Sequence, residues 1–241
     1  MPEPVSFDAV LESAARLQQL VPGAVLVGGS AAVYHAGHRL SFDHDHVVED
    51  LAARFDAVLE TLEALDDWTT ARLAGGKLIL GELGGIETGI RQMVRRRPLQ
   101  VEEVAIGERV LRVPTLDEIL RIKAWLVVSR NQTRDYLDAA ALSDRIGIGA
   151  AGGLLARIDD YYAELNQRPE AVATQVARQF GDPAPKDSSV TKRLSSYRRL
   201  DARWHDWGTV VETLRAVAVS MVDTAMTDTT ATEAGDGEAE R

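Results

Sequence analysis

The sequence predicts an α+β protein: a mixed sheet with flanking helices over residues 1–113, an all-helical domain over 114–222, and a disordered acidic tail over 223–241. Three observations predict it. Apolar residues recur at helical spacing over 7–20 and again over 51–65. Between 68 and 113 the pattern changes to short apolar runs separated by glycines and charges, which is the signature of strands. After Pro114 the helical period returns and persists to the region of Met221.

In order, Val10, Leu11, Ala14, Leu17 and Leu20 make one apolar stripe, and Pro22-Gly23 ends that helix. Val25-Leu-Val27 is a short strand, followed by Gly28-Gly29-Ser30 and a short helix over 31–36. A second strand holds Asp43 and Asp45, and a helix follows with Leu51, Phe55, Val58, Leu59 and Leu62 on one face. Strands are expected over 68–73, 77–82, 86–93, 99–106 and 109–113. Thr115 with Glu118 forms a capping box that opens a helix over 116–130, and another helix opens near Thr133. Further helices are expected over 154–165, 169–180, 190–200 and 209–221, with Trp204 and Trp207 as core anchors. The Thr-, Ala- and acid-rich end has too few large apolar residues to bury, so it is expected to be disordered.

Composition limits the class. With 45% hydrophobic residues the chain can build a real core. It has no cysteine, so neither disulfides nor thiolate metal sites hold it together. The N-terminus lacks a signal-peptide pattern and no run of about 18 apolar residues occurs, so a soluble cytoplasmic protein without a membrane partner is expected. A net charge of -10 by itself argues against a nucleic-acid partner, yet residues 222–241 carry six acids and one arginine, so half of it lies in the tail. In the body, Arg91, Arg95, Arg96 and Arg97 share an acid-free stretch, and residues 186–203 hold six bases against two acids. Local basic patches, rather than net charge, decide whether a phosphate backbone binds.

The chemistry lies in the first strands. Gly28 and Gly29 have no Cβ, so anionic oxygens can approach bare N–H groups there, and Ser30 adds a hydroxyl. The following helix would aim its N-terminus at the same anion. Asp43 and Asp45 are i and i+2 on a strand, so both carboxylates face one side and can hold a hard cation such as Mg2+ or Mn2+, which also takes substrate phosphate oxygens. Glu87, Gly89 and Arg91 share a face of a later strand, which makes Glu87 a possible third acid. His44 and His46 point to the face opposite the carboxylates, and their presence argues against a strand buried on both sides. His35 and His38 are three apart but lack further ligands at a recognisable spacing, so zinc is rejected.

Lys123 falls within the apolar stripe of its helix, where an unpaired ammonium costs several kcal/mol, so it either snorkels out to solvent or points into a site that supplies phosphate or carboxylate; the motif that follows favours the site. Asp135 and Asp138, at i and i+3 on the next helix, lie on one face of it. Arg134 reads as a structural tie between the two helices.

Gly-Gly-Ser followed by Gly37-His-Arg-Leu-Ser-Phe-Asp-His-Asp45 resembles the nucleotidyltransferase core of the AbiEii/AbiGii toxin family, including the MenT-like toxins, within the DNA polymerase β superfamily. The resemblance is strong over 25–45, extends to 115–142 and is thin elsewhere. It departs in the histidines alternating with the acids, where the family usually has apolar residues. It implies a polymerase-β-like nucleotidyltransferase domain using a nucleoside triphosphate (NTP) and Mg2+. Gly28, Gly29 and Ser30 would hold phosphates, Asp43 and Asp45 would bind metal, and Lys123 would neutralise phosphate charge. Asp138, or else Asp135, would complete the site. It further implies a toxin that adds nucleotides, pyrimidines in the family, to the 3′ end of tRNA and so blocks translation, with a separately encoded antitoxin as partner. The arginines at 91 and 95–97 are where tRNA could lie, and a phosphate on Ser41 would repel nucleotide and metal. Two rivals stand beside this reading: the same fold acting on a small-molecule or protein hydroxyl, and a non-catalytic module that binds nucleotide or a partner. No oligomeric state follows from the sequence.

Overall fold

The computed structural model describes residues 5–197 and 199–239, and the side chains of 228–239 lie outside that description. The chain divides into two compact units, Met1–Ile119 and Leu120–Arg241, so the division falls inside a helix rather than at the expected boundary after residue 113.

In the first unit, α1 (Phe7–Leu20) is capped by Ser6, whose hydroxyl accepts from the Ala9 amide at 3.2 Å. The chain then forms β1 (Val25–Val27), α2 (Gly28–Ala36), β2 (Asp43–Val48), α3 (Leu51–Glu63), β3 (Trp68–Ala74), β4 (Leu78–Leu83) and β5 (Ile86–Gln92). Five strands make one sheet in the order β1-β2-β5-β4-β3, with β2 and β5 parallel and the other pairs antiparallel. A separate hairpin, β6 (Val101–Ile106) and β7 (Arg109–Pro114), lies against β1 and α1.

Alternation divides the sheet into two faces. Val48, Ile79 and Ile90 pack with Leu17 of α1 and Leu51, Val58 and Leu62 of α3 into a buried core. His44 and His46 belong to this face and are 1% and 0% exposed, and β2 is an interior strand. The strand is, as expected, not buried on both sides, since its carboxylate face is only half-buried; it is nevertheless interior to the sheet, and its histidine face is buried because a neutral imidazole packs without an ionic partner. The opposite face carries Asp43, Asp45, Val47, Glu87, Gly89 and Arg91, and none of these charged side chains is buried.

In the second unit, α4 (Leu116–Arg130), which starts in the first, continues to α5 (Thr133–Ile146), α6 (Ile148–Ala156), α7 (Asp159–Tyr162), α8 (Val172–Gly181) and α9 (Trp207–Ala239). The long α9 packs along α5, α6 and α8. Its contact with α6 needs Gly152, where a Cβ would lie 2.3 Å from the Ser220 hydroxyl. Trp204 is buried, and Trp207 meets Tyr136 edge-on with centroids 6.1 Å apart. Two expectations are corrected. Residues 190–196 form 3-10 turns rather than an α-helix, interrupted at Arg193. The stretch 223–239, expected to be unfolded, continues α9, with no proline to interrupt it; residues 240–241 lie outside the described part.

Candidate active site

The two glycines form the first turn of α2 itself, one turn earlier than the sequence suggests. Gly28 has φ +74°, and a Cβ there would come 3.2 Å from Asp45 Oδ2. At Gly29 a Cβ would lie 2.8 Å from an Arg39 guanidinium nitrogen and 2.9 Å from Ser41 Oγ. The missing side chains thus let a carboxylate, a guanidinium and a hydroxyl close around a helix N-terminus. Ser30 is buried, and its hydroxyl donates to the Asp43 carbonyl at 2.5 Å, tying α2 to β2. Of the groups this turn could offer an anion, the Ser30 hydroxyl is thus already engaged, which leaves the backbone N–H groups.

Asp43 and Asp45 stand on the same face of β2. Ser41, 1% exposed, donates to Asp43 Oδ1 at 3.0 Å and orients that carboxylate. Across the parallel β2–β5 ladder, Asp43 pairs with Glu87 and Asp45 with Gly89. A Cβ at Gly89 would lie 2.1 Å from Asp45 Oδ1, so this glycine is a cradle for the carboxylate. Arg91, one same-face step further, places Nε 3.5 Å from Asp45 Oδ1.

The donor set fits Mg2+, which is held by one or two carboxylates and completes its shell with water and substrate phosphates. Glu87 does not complete a third ligand position. It is exposed, and among the described residues no group of three or more His, Cys, Asp or Glu could hold a metal. His35 is engaged elsewhere, with Nε2 2.7 Å from the Pro114 carbonyl.

The histidines behind the acids are neutral. Burial pushes His44 down to about 4, and His46, fully enclosed beside His44, falls well below the usual range. His44 Nε2 lies 3.0 Å from Ser13 Oγ and 3.2 Å from Thr88 Oγ1. Both ring nitrogens of His46 lack a hydrogen-bond partner among the described residues.

The second unit holds its own buried charge cluster. Lys123 Nζ is 2.7 Å from Asp138 Oδ2 and 3.9 Å from Asp135 Oδ1, with all three side chains at most 3% exposed. The lysine neither snorkels to solvent nor remains uncompensated. Asp138 is its close partner, while neither oxygen of Asp135 has a hydrogen bond among the described residues. Burial raises the Asp135 carboxyl above its usual range, opposed by the Lys123 charge.

The basic cluster separates into different roles. Arg96 and Arg97 are exposed, but Arg95 is 4% exposed and pairs with the buried Glu118 at 2.7 Å. Its Nε and Nη2 donate to the carbonyls of Arg97 and Pro98. Arg95 is therefore a structural clamp between the 94–98 loop and the start of α4, not a surface contact for RNA. Neither Arg39 nor Gly89 was assigned to the site from the sequence. Arg39 lay inside the recognised motif, and the spacing of Glu87, Gly89 and Arg91 was the available signal for the glycine.

The mixed five-stranded sheet with flanking helices and the helical second unit form an α+β fold that solved structures share. JHP933 from Helicobacter pylori has this fold, with a TM-score of 0.57 and 12% identity over 98% of this chain and 99% of that protein. A second H. pylori structure, described as a nucleotidyltransferase candidate, aligns at TM-score 0.52 and 13% identity over 94% of this chain and 98% of its own. No protein-family model matches the sequence. Among curated proteins, the heme uptake protein MmpL11 of Mycobacterium tuberculosis is 29% identical over 238 residues, covering 93% of this chain and 24% of the relative. The mycolic acid-containing lipids exporter MmpL11 of Mycolicibacterium smegmatis is 35% identical over 133 residues, covering 54% of this chain and 13% of the relative. The chain spans about a quarter or less of these relatives' lengths. Among the described residues no helix is long and apolar enough to cross a membrane.

Proposed function

We propose that this protein is a nucleotidyltransferase that moves a nucleoside monophosphate from an NTP to the 3′ hydroxyl of an RNA, with tRNA as acceptor. The observation that supports nucleotidyl transfer is the convergence on one sheet face of the Gly28-Gly29 helix turn and the two carboxylates of β2, brought together by glycines with no room for a side chain; the tRNA acceptor rests on the family resemblance. The acceptor oxygen forms a bond to the α-phosphorus, the bond to the β-phosphate bridging oxygen breaks, pyrophosphate leaves, and the hydroxyl proton passes to solvent. The α2 N–H groups hold the leaving phosphates. Asp43 and Asp45 would hold Mg2+, which supplies charge neutralisation between the α-phosphate and the attacking oxygen. Ser41 and Gly89 fix the two carboxylates. The family resemblance assigns Lys123 to the phosphate charge and has Asp138 orient either Lys123 or the sugar, and the 2.7 Å pair supports the first of those two roles. On the same resemblance the protein acts as a toxin held in check by an antitoxin, and a phosphate on Ser41 would displace the hydroxyl that orients Asp43.

The test is incubation with total tRNA, Mg2+ and each α-labelled NTP, beside Asp43→Ala and Lys123→Ala variants. Label on tRNA with the wild type and with neither variant supports the proposal; triphosphate binding without transfer removes the tRNA acceptor. A second reading rests on the 29% identity to MmpL11 across 93% of the chain. On that reading the chain is a nucleotide-binding module without transfer activity, as would suit a segment of a larger transporter. Triphosphate binding unaccompanied by transfer to any acceptor would favour it.

A further inference from the structure

Resting on the transferase reading above, we infer that a cavity beside the carboxylates is the site for the acceptor's terminal nucleotide. The cavity, about 650 Å³, opens within the first unit and is floored by Val25, Val47, Met93, Leu99 and Val101. It is not the phosphate turn. In the antiparallel β1–β2 pair, Val27 faces Asp45 and Val25 faces Val47. Along this one sheet face the order is therefore Gly28 and its helix turn, then the carboxylates, then the cavity. Val47 lies about 7 Å beyond Asp45, two residues along a strand.

That order matches what phosphoryl transfer requires. The attacking and leaving oxygens sit in line on opposite sides of the phosphorus. With pyrophosphate on the α2 turn and the α-phosphorus at the carboxylates, the attacking hydroxyl comes from the cavity side.

The lining selects the acceptor's chemistry. Five apolar side chains suit the faces of a base and ribose. Arg112, half-buried in the wall, has no hydrogen bond or ion pair to its guanidinium among the described residues; only its backbone is engaged, by Gln18. Arg54, by contrast, is held by Asp50 at 2.9 Å and the Pro22 carbonyl at 2.7 Å. A half-buried guanidinium without a protein partner is suited to a phosphate, here the one 5′ to the terminal nucleotide. Pro98 and Leu99 line the cavity, and the exposed Arg96 and Arg97 immediately precede them, so the next phosphates would leave across a basic loop. Glu49 and Asp50 also line the cavity, with Asp50 engaged by Arg54, so it is Arg112 and the basic loop that favour the 3′ end of a single RNA strand over a cationic small molecule.

The test uses a 5′-fluorescein single-stranded octaribonucleotide with a free 3′ hydroxyl, the same strand ending in a bulky 3′ blocking group, and a fluorescent NTP analogue, all read by anisotropy on the full chain. The wild type is expected to prefer the free end. Arg112→Gln should weaken that strand about tenfold, the scale of one charge-assisted hydrogen bond. Val47→Trp, which fills the cavity, should abolish the preference for the free end, and both variants should bind the NTP analogue as the wild type does. Unchanged RNA affinity in both variants, or wild-type binding indifferent to the blocking group, overturns the assignment. Tight binding of an aminoglycoside but not of RNA also overturns it. End-specific RNA binding lost in the variants, in a protein that binds no NTP, supports the cavity assignment while removing the transferase reading.

Discussion

His46 occupies the core with two ring nitrogens that no described group satisfies, and His44 beside it is held neutral by burial. Unfolded histidine takes up its proton near 6.5, whereas folded His44 does so only at about 4. Between those values the unfolded chain binds more protons, so stability rises with pH: it is complete above about 6.5 and is lost as pH falls toward 4. For His44 alone the loss would reach about 3 kcal/mol, at 1.36 kcal/mol for each pKa unit. Asp135, with its carboxyl raised by burial, acts in the other direction as pH climbs past the ordinary carboxylate range. Urea midpoints from pH 4.5 to 7.5 should therefore slope upward, and His46→Leu should flatten part of that slope. The same substitution should add about 1–3 kcal/mol at pH 7, because it removes an unsatisfied buried polar group and breaks no hydrogen bond, at the cost only of the edge-on ring contact with His44. The Lys123 cluster yields an asymmetric pair: Asp138→Ala strands a buried ammonium and should cost about 3–5 kcal/mol. Asp135→Leu should be near neutral by the same unfolding measurement.

At the scale of elements, β5 matters to the site chiefly through a residue with no side chain. Gly89→Ala should displace the Asp45 carboxylate and lower transfer by about tenfold or more, at about 1–3 kcal/mol of stability, read by the tRNA-labelling assay beside a melting curve. Gly81→Ala is the contrasting case. Its Cβ would meet the Trp68 ring at 2.4 Å, so it should destabilise the sheet by a similar amount while leaving activity per folded molecule unchanged. Periodicity made most elements readable from the sequence, since α1, α4 and the five later strands depend on local patterns of apolar residues. The acidic pair and the Gly-Gly-Ser turn were also readable, because their spacing alone places them on one strand face and one helix start. What the sequence did not reveal depends on register and neighbours. That Gly89 faces Asp45 follows from a parallel pairing between strands more than forty residues apart. That Arg95 is buried follows from Glu118, which as a capping-box residue would have been expected to turn back to the amide of Thr115. The interior position of β2 was misread because histidine scores as polar, whereas the neutral ring packs as an aromatic group, here edge-on with centroids 5.2 Å apart.

For the molecule as a whole, the charge distribution sets how it meets a polyanion. Removing residues 228–241 deletes five acids and one arginine and shifts the net charge by +4. Such a change acts at long range and is screened beyond about 10 Å at 0.1 M salt. The truncated chain should therefore associate with RNA faster at low ionic strength and indistinguishably at high, as stopped-flow anisotropy would read. Strand β2 carries a different kind of constraint. Its first four residues alternate between carboxylates that must stay wet and imidazoles that stay dry, so a deletion ahead of them exchanges the two sets. Asp45 would then be driven into the core and His46 out of it. A lineage that carries this strand can adjust it by substitution but not by changing its length, and the spacing Asp-x-Asp should persist in descendants after much of the surrounding sequence has drifted.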